Sequence, residues 1–266
     1  MYRSSDLEAF SEITIVSLEQ AVAAPFVTRR FAQAGASVIK IERPEGDFAR
    51  YYDSSVFGES SYFAWLNAGK KSVVLNLVSE PEVSLLKSII DRSDILVQNL
   101  KPGALEKLGF DLKSYHEQRP EFISLSISGF YPGGLGGDRK AYDLLIQAES
   151  GLSSITGTPD GPGRVGVSIV DLATGMYGYQ ALLEALVNRQ ATGVGKLLNV
   201  SLFDSIAEWL AVPYLLDRYG NGPPERIGLA HPGICPYGVF VAEDGESFVL
   251  SIQNEREWSR LCEVVL

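Results

Sequence analysis

Strand-like and helix-like segments alternate along the first two thirds of this 266-residue chain, and no other feature restricts its fold as much. Glu12–Leu18 (EITIVSL) is a β-branched run suited to a sheet. Pro25 opens a helical pattern through Ala34, Gly35 ends it, and Ala36–Ile41 (ASVIKI) returns to a strand. A strand, a helix and a second strand within roughly 30 residues form a βαβ unit. The pattern then repeats. Ser72–Leu77 predicts a third strand, Pro81–Asp91 a helix with Val83, Leu86, Ile89 and Ile90 on one face, and Asp94–Val97 a fourth strand. Pro102–Leu108 follows as a short helix and Phe122–Ser126 as a fifth strand. Strands joined by helical crossovers run parallel, so the expected class is α/β with a mostly parallel, doubly wound sheet covered on both faces.

The later part reads differently. A glycine-rich stretch, Gly129–Gly137, leads to a helix beginning near Ala141, and a loop over Thr156–Gly166 precedes a helix from about Asp171 to Arg189. A strand at Lys196–Val200 and a helix over Leu202–Tyr219 follow. Gly220–Pro224 (GNGPP) reads as a linker, which divides the chain into a large domain over 1–220 and a smaller one begun by 221–266. There, Tyr237–Ala242 and Ser247–Ile252 flank an Asp244–Gly245 turn as a hairpin, and Glu255–Leu266 starts a helix. The sequence stops inside that helix without a capping signal, so an incomplete chain is expected.

Charge and composition narrow the chemistry. The formal charge of −10 argues against a nucleic-acid partner, which calls for a basic face. Forty-five percent hydrophobic residues supply a core, yet no apolar run approaches the ~20 residues that span a bilayer. The N-terminus lacks the apolar segment of a signal peptide, and a cytoplasmic protein without membrane contact is expected. Cys235 and Cys262 give neither a disulfide framework nor a metal-ligand spacing, and His116 and His231 stand in no supporting motif. No metal is expected.

After the first strand the chain reads Gln20-Ala21-Val22-Ala23-Ala24-Pro25, without the glycines that let a backbone approach a pyrophosphate in dinucleotide folds. Basic residues recur near strand ends: Lys40 and Arg43, Lys70 and Lys71, Lys101 and Lys107. Gathered at the carboxyl edge of a parallel sheet, Arg43, Lys101 and Lys107 could converge on phosphates, with Lys40, Lys70 and Lys71 less securely placed, although any one of them alone reads more readily as solvated surface charge. In Val165–Gly175, an apolar approach delivers Asp171 to the start of a long helix. Such an aspartate commonly caps a helix. It is also a possible covalent catalyst, kept ionised by the helix N-terminus. Gly175 and Gly178, costing about 1 kcal/mol each in a helix interior, imply close approach by another element or a ligand.

Taken in order, several stretches resemble the class III CoA-transferase family, which includes formyl-CoA and carnitine CoA-transferases. They are Ser37–Pro44 (SVIKIERP), Leu66–Ser72 (LNAGKKS), Val97–Ala104 (VQNLKPGA), Tyr142-Asp143 with Ser150-Gly151-Leu152, Val165–Gly175, and Pro236-Tyr237-Gly238 before Asp244-Gly245. The resemblance covers essentially the whole chain. It implies a Rossmann-like large domain with the start of a smaller α+β domain, an interlocked homodimer if the chain is complete, and no permanently bound cofactor. CoA and acyl-CoA would be substrates, with a carboxylic acid as acceptor.

The resemblance places the family's catalytic aspartate on Asp171. It places CoA contacts on Gln20, Ala21, Ala23, Arg43, Leu66, Lys70 or Lys71, Asn99, Leu100, Lys107 and Leu108. Asp171 would attack the donor thioester to give a mixed anhydride, and CoA thiolate would return to form an aspartyl-CoA thioester. Residues Ser251–Trp258 resemble members acting on short dicarboxylates. Two departures stand out. Ile227–Pro232 occupies the place of a glycine-rich loop in formyl-CoA transferases, and Ser128 and Phe130 replace their Lys and Tyr. Alternatives are an inactive truncated member or an α-methylacyl-CoA racemase, but the latter's His-Asp pair is Tyr142-Asp143 here, and a tyrosine is a poor base near pH 7.

Overall fold

The computed structural model describes residues 8–137, 139–231 and 233–265. Strand β1 (Thr14–Leu18), helix α1 (Ala23–Gln33) and strand β2 (Ser37–Glu42) make the first βαβ unit, followed by a 3₁₀ turn at Phe48–Tyr51. The alternation continues through α2 (Ser61–Asn67), β3 (Lys71–Val74), α3 (Glu80–Ile90), β4 (Ile95–Gln98), α4 (Ala104–Lys107), α5 (Leu112–Gln118) and β5 (Ile123–Ser128). Next come α6 (Asp143–Glu149), α7 (Leu152–Ile155), and a minimal hairpin of β6 (Gly157–Thr158) and β7 (Gly161–Pro162). The chain then forms α8 (Ile169–Thr192), β8 (Leu197–Ser201), α9 (Leu202–Trp209), α10 (Ala211–Tyr219), β9 (Tyr237–Val241), β10 (Ser247–Ser251) and α11 (Glu255–Val264).

Six strands form one parallel sheet in the order β3-β2-β1-β4-β5-β8. Numbered along the sheet's own strands this is 3-2-1-4-5-6, the doubly wound order, whose direction of winding reverses between β1 and β4. On one face Val16, Leu18, Ile41 and Leu96 pack with Leu86 and Ile90 of α3, Leu105 of α4, Phe110 and Phe122. On the other face α8 lies against α1 and β5. A Cβ at Gly178 would stand 3.0 Å from Val27 Cγ2 and 3.2 Å from Leu125 Cδ2, and one at Gly175 would stand 2.8 Å from Phe26 Cδ1. Helix packing therefore accounts for both glycines.

The chain divides into two compact units that interleave in sequence: residues up to Ile146 with Val167–Glu208, and Gln147–Gly166 with Trp209 onward. The second contains the antiparallel β9–β10 hairpin, closed by Ala242 N–H donating to the Glu246 carbonyl at 2.9 Å, with Gly245 at φ 87°. The helix expected over Leu202–Tyr219 is interrupted at Leu210, because Pro213 carries no N–H to continue the ladder. Helix α2 was not anticipated; Ser60 starts it by accepting the Phe63 N–H at 3.4 Å. Among the described residues no helix is long and apolar enough to cross a membrane.

Candidate active site

The loops after β1 and β4 diverge where the winding reverses, and one side chain ties them together. Asn99 Oδ1 accepts the Gln20 N–H at 3.0 Å, and its Nδ2 donates to the Gln20 carbonyl at 2.8 Å. The next residue, Ala21, makes the turn at φ 64° without a glycine. That left-handed conformation costs an alanine ~1–2 kcal/mol. The turn is held by Asp47 Oδ1, which accepts the Ala21 N–H at 3.1 Å. Ala23 then opens α1 and is buried.

Beneath this turn lies a buried network of charges. Lys40 Nζ donates to Asp47 Oδ2 at 2.6 Å and to Asn67 Oδ1 at 2.9 Å. Lys70 Nζ donates to Glu19 Oε1 at 2.7 Å, to the Pro25 carbonyl at 3.0 Å and to Asn67 Oδ1 at 3.2 Å. Glu42 receives Arg50 through two nitrogens at 2.9 and 2.8 Å, Ser72 Oγ at 2.6 Å and the Asp47 N–H at 3.0 Å. Burial works to raise the Glu42 carboxyl, but these hydrogen bonds and the Arg50 charge bring it down to about 2. Burial likewise opposes ionisation of Glu19, and Lys70, Lys40 and Thr28 outweigh it, leaving that carboxyl below its usual range.

This network corrects one expectation. Lys40 is only 1% exposed and serves Asp47 and Asn67, so it does not join the basic residues at the sheet edge. The Lys70 side chain is similarly enclosed against Glu19, and burial draws its ammonium down to about 8. Lys71 is exposed, with Nζ 3.3 Å from Ser37 Oγ, and Arg43 is exposed, its Nε donating to the Gly46 carbonyl at 3.0 Å. Lys101 and Lys107 are exposed. Leu66 is fully buried, while Leu100 and Leu108 are partly buried against the core.

Asp171 lies in the first turn of α8 rather than at its cap, which is Ser168. Ser168 makes no side-chain capping bond. Instead Asp143, at the start of α6, accepts the Val170 N–H at 2.8 Å through Oδ1. Burial first, and then the charge of Asp143, push the half-buried Asp171 carboxyl up to about 7. The helix N-terminus was expected to keep it ionised; packing and a neighbouring carboxylate reverse that. Tyr52 is pushed up to about 12, by burial and then by the Asp171 charge.

Beside this turn is a cavity of about 310 Å³ lined by Val22, Ser61, Tyr62, Trp65, Val167, Ser168 and Leu172. Tyr62 Oη lies 3.3 Å from Ser168 Oγ across it. Tyr62 and Trp65, spaced i and i+3 on α2, and Asp143 were not singled out from the sequence as site residues of this kind. The cavity is mostly apolar, with three hydroxyl-bearing residues, Ser61, Tyr62 and Ser168, in its lining, and Asp171 immediately precedes the lining residue Leu172. An ionised carboxylate is nucleophilic toward an acyl carbon. His116 Nδ1 lies 3.1 Å from the Phe122 carbonyl oxygen, and His231 Nδ1 accepts the Gly233 N–H at 3.0 Å. Among the described residues no cluster of His, Cys, Asp or Glu is arranged to hold a metal ion.

Proteins known from other sources share this fold. The family model of CoA-transferase family III matches residues 10–266, and the chain belongs to that family. It is 36% identical over 259 residues to acetyl-CoA:oxalate CoA-transferase of Acetobacter aceti, covering 96% of this chain and 66% of that protein. To succinyl-CoA:glutarate CoA-transferase of Homo sapiens it is 33% identical over 267 residues, covering 98% and 60%. A CAIB/BAIF family protein from Brucella suis superposes with a TM-score of 0.84 at 33% identity, covering 95% of this chain and 68% of that one. The chain thus spans two thirds or less of the length of these two curated relatives.

Proposed function

We propose that this chain forms the CoA-binding and catalytic part of a CoA-transferase, which moves CoA from an acyl-CoA donor to a carboxylic acid through covalent intermediates on Asp171. The observation that carries the reading is the placement of Asp171, half-buried in the first turn of α8 beside an apolar cavity, with its carboxyl pushed up to about 7. A carboxylate that is poorly solvated gives up little hydration when it attacks, and attack on the thioester carbon expels CoA thiolate. The thiolate then displaces the acyl group to leave an aspartyl-CoA thioester, which the acceptor carboxylate opens. Keeping CoA bound between steps makes its return intramolecular.

CoA contacts are assigned to the switch point and its flanks: Gln20, Ala21, Ala23, Asn99 and Leu100 at the crevice, with Leu66, Leu108, Arg43, Lys71 and Lys107 around it. The exposed cations suit phosphates, whereas the Lys70 ammonium is engaged by Glu19 and acts by supporting the edge. The acyl groups are proposed to be short dicarboxylates, since similar proteins are named for oxalate, glutarate and mesaconate. A homodimer in the cytoplasm completes the reading.

The test is chemical. Incubation with acetyl-, succinyl- and formyl-CoA in turn, followed by hydroxylamine or borohydride trapping and peptide mass spectrometry, is expected to place an adduct on Asp171 with at least one donor. Full transfer activity in Asp171→Ala would sink the mechanism.

A further inference from the structure

We propose that Arg29 is a positioning residue for Trp65, holding its indole as the wall that limits how long an acyl group the cavity admits. The inference rests on the transferase reading and names what sets acyl length at that same site. Trp65 lines the cavity and is 38% exposed, so burial alone does not fix its ring. Its neighbours do. The Arg29 guanidinium carbon stands 5.5 Å from the centroid of the indole, and the rings of Phe26 and Tyr62 meet it edge-on at 6.1 and 6.4 Å.

Arg29 and Phe26 lie one turn apart on α1 and share a face of that helix. Phe26 is set in turn by α8: a Cβ at Gly175 would stand 2.8 Å from its Cδ1, so the glycine leaves the room that Phe26 occupies. Arg29 is 8% exposed, and among the described residues its Nε has no hydrogen-bond partner. Burial, and then the charge of Arg30, draw the guanidinium below its ordinary range, yet an arginine stays protonated in a protein. A poorly solvated cation is attracted to the negative face of an indole, a contact worth about two- to thirtyfold in the balance between a held and a released ring. Val22, Val167 and Leu172 give the cavity aliphatic sides suited to methylenes. One methylene too many against a fixed wall costs about 10- to 200-fold in rate. A ring released from Arg29 can turn aside and admit the longer chain.

Arg29→Met keeps an apolar stem and removes the cation, whereas Arg29→Lys returns one. The rate of Asp171 labelling is measured with succinyl-, glutaryl- and adipyl-CoA over a range of concentrations. Relative to wild type, Arg29→Met should raise the preference for adipyl- over succinyl-CoA about three- to tenfold, through the half-saturating concentration more than the maximal rate. Trp65→Ala should raise it further, and Arg29→Lys should return it to within about twofold of wild type. The ring itself is followed by ¹⁹F resonance in protein carrying 5-fluorotryptophan, with Trp65 assigned by the line lost in Trp65→Phe. One sharp line is expected in wild type and Arg29→Lys, and a broadened or split one in Arg29→Met. Should Arg29→Met fail to fold, Arg29→Gln replaces it. An unchanged chain-length preference in the active, uncharged variant, or a single sharp Trp65 line in it, overturns the proposal. A broadened line in a protein that no donor labels upholds the grip of Arg29 on the indole and sinks the transferase reading alone.

Discussion

Buried carboxylates occur at two places around the carboxyl end of the sheet, and the protein treats them in opposite ways. Beneath the Ala21 turn, Asp47 meets Lys40, Glu19 meets Lys70 and Glu42 meets Arg50, each within 3 Å. Glu19 and Glu42 are thereby held below their ordinary range. At the start of α8, Asp171 has burial and a second carboxylate acting on it, and its carboxyl rises. Removing charge from the first cluster should damage the fold, whereas removing it from the second should damage the chemistry and spare or improve the fold.

The largest contrast is expected at Asp171. Asp171→Asn should lower covalent labelling and transfer by at least ~10³-fold, because an amide is no nucleophile. Its stability should move the other way. The folded-state value near 7 lies above the ~3.9 of an unfolded chain, so ionisation of Asp171 removes stability as pH rises through that interval. The amide escapes that cost. Thermal unfolding at pH 8 should show the variant more stable by roughly 1–3 kcal/mol, with the gap vanishing near pH 4. A variant less stable at pH 8 would erase the distinction between the clusters.

Lys40→Met tests the other side. It leaves Asp47 buried with only backbone donors, Ala21 N–H and Ala49 N–H, and should cost about 3–5 kcal/mol by urea unfolding. Adding Asp47→Leu should recover part of the loss, though not all, since those two N–H groups then lose their acceptor. Glu42 gives a smaller, pH-dependent effect. Its folded value of about 2 lies below the unfolded one, so its contribution is present above about pH 4.5 and is lost as pH falls toward 2. Wild type should exceed Glu42→Gln by roughly 2–3 kcal/mol at pH 6 and converge with it near pH 2.

The same contrast separates what the sequence discloses from what it withholds. The alternating segments marked five strands of the parallel sheet, along with the sixth at Lys196–Val200, because β-branched runs and helical spacing are local properties. Asp171 was also visible, as an acid delivered by an apolar run to a helix. Its environment was not. Asp143 stands 28 positions earlier and reaches the helix only through tertiary packing, so the balance of burial and like charge was inverted in the reading from sequence. Lys40 was misplaced for a related reason. A lysine within SVIKIE reads as solvent-facing until Asp47 and Asn67, contributed by a loop and by α2, are seen to enclose it.

The smallest expected effect bears on what the paired cluster is for. Ala21→Gly relieves the ~1 kcal/mol or more that a Cβ costs at φ 64°, while the freer unfolded chain takes back about 0.4–1 kcal/mol. Net stability should change by less than ~1 kcal/mol. If the turn owes its shape to Asp47 and to the Gln20–Asn99 tie, the glycine variant keeps both, and its KM for acyl-CoA should stay within about twofold of wild type. Lys40→Met, measured under conditions where it remains folded, should raise that KM more than it lowers kcat, since it loosens the residue that holds the Ala21 N–H. Equal KM values in both variants would mean that the buried ions support the sheet and not the binding turn.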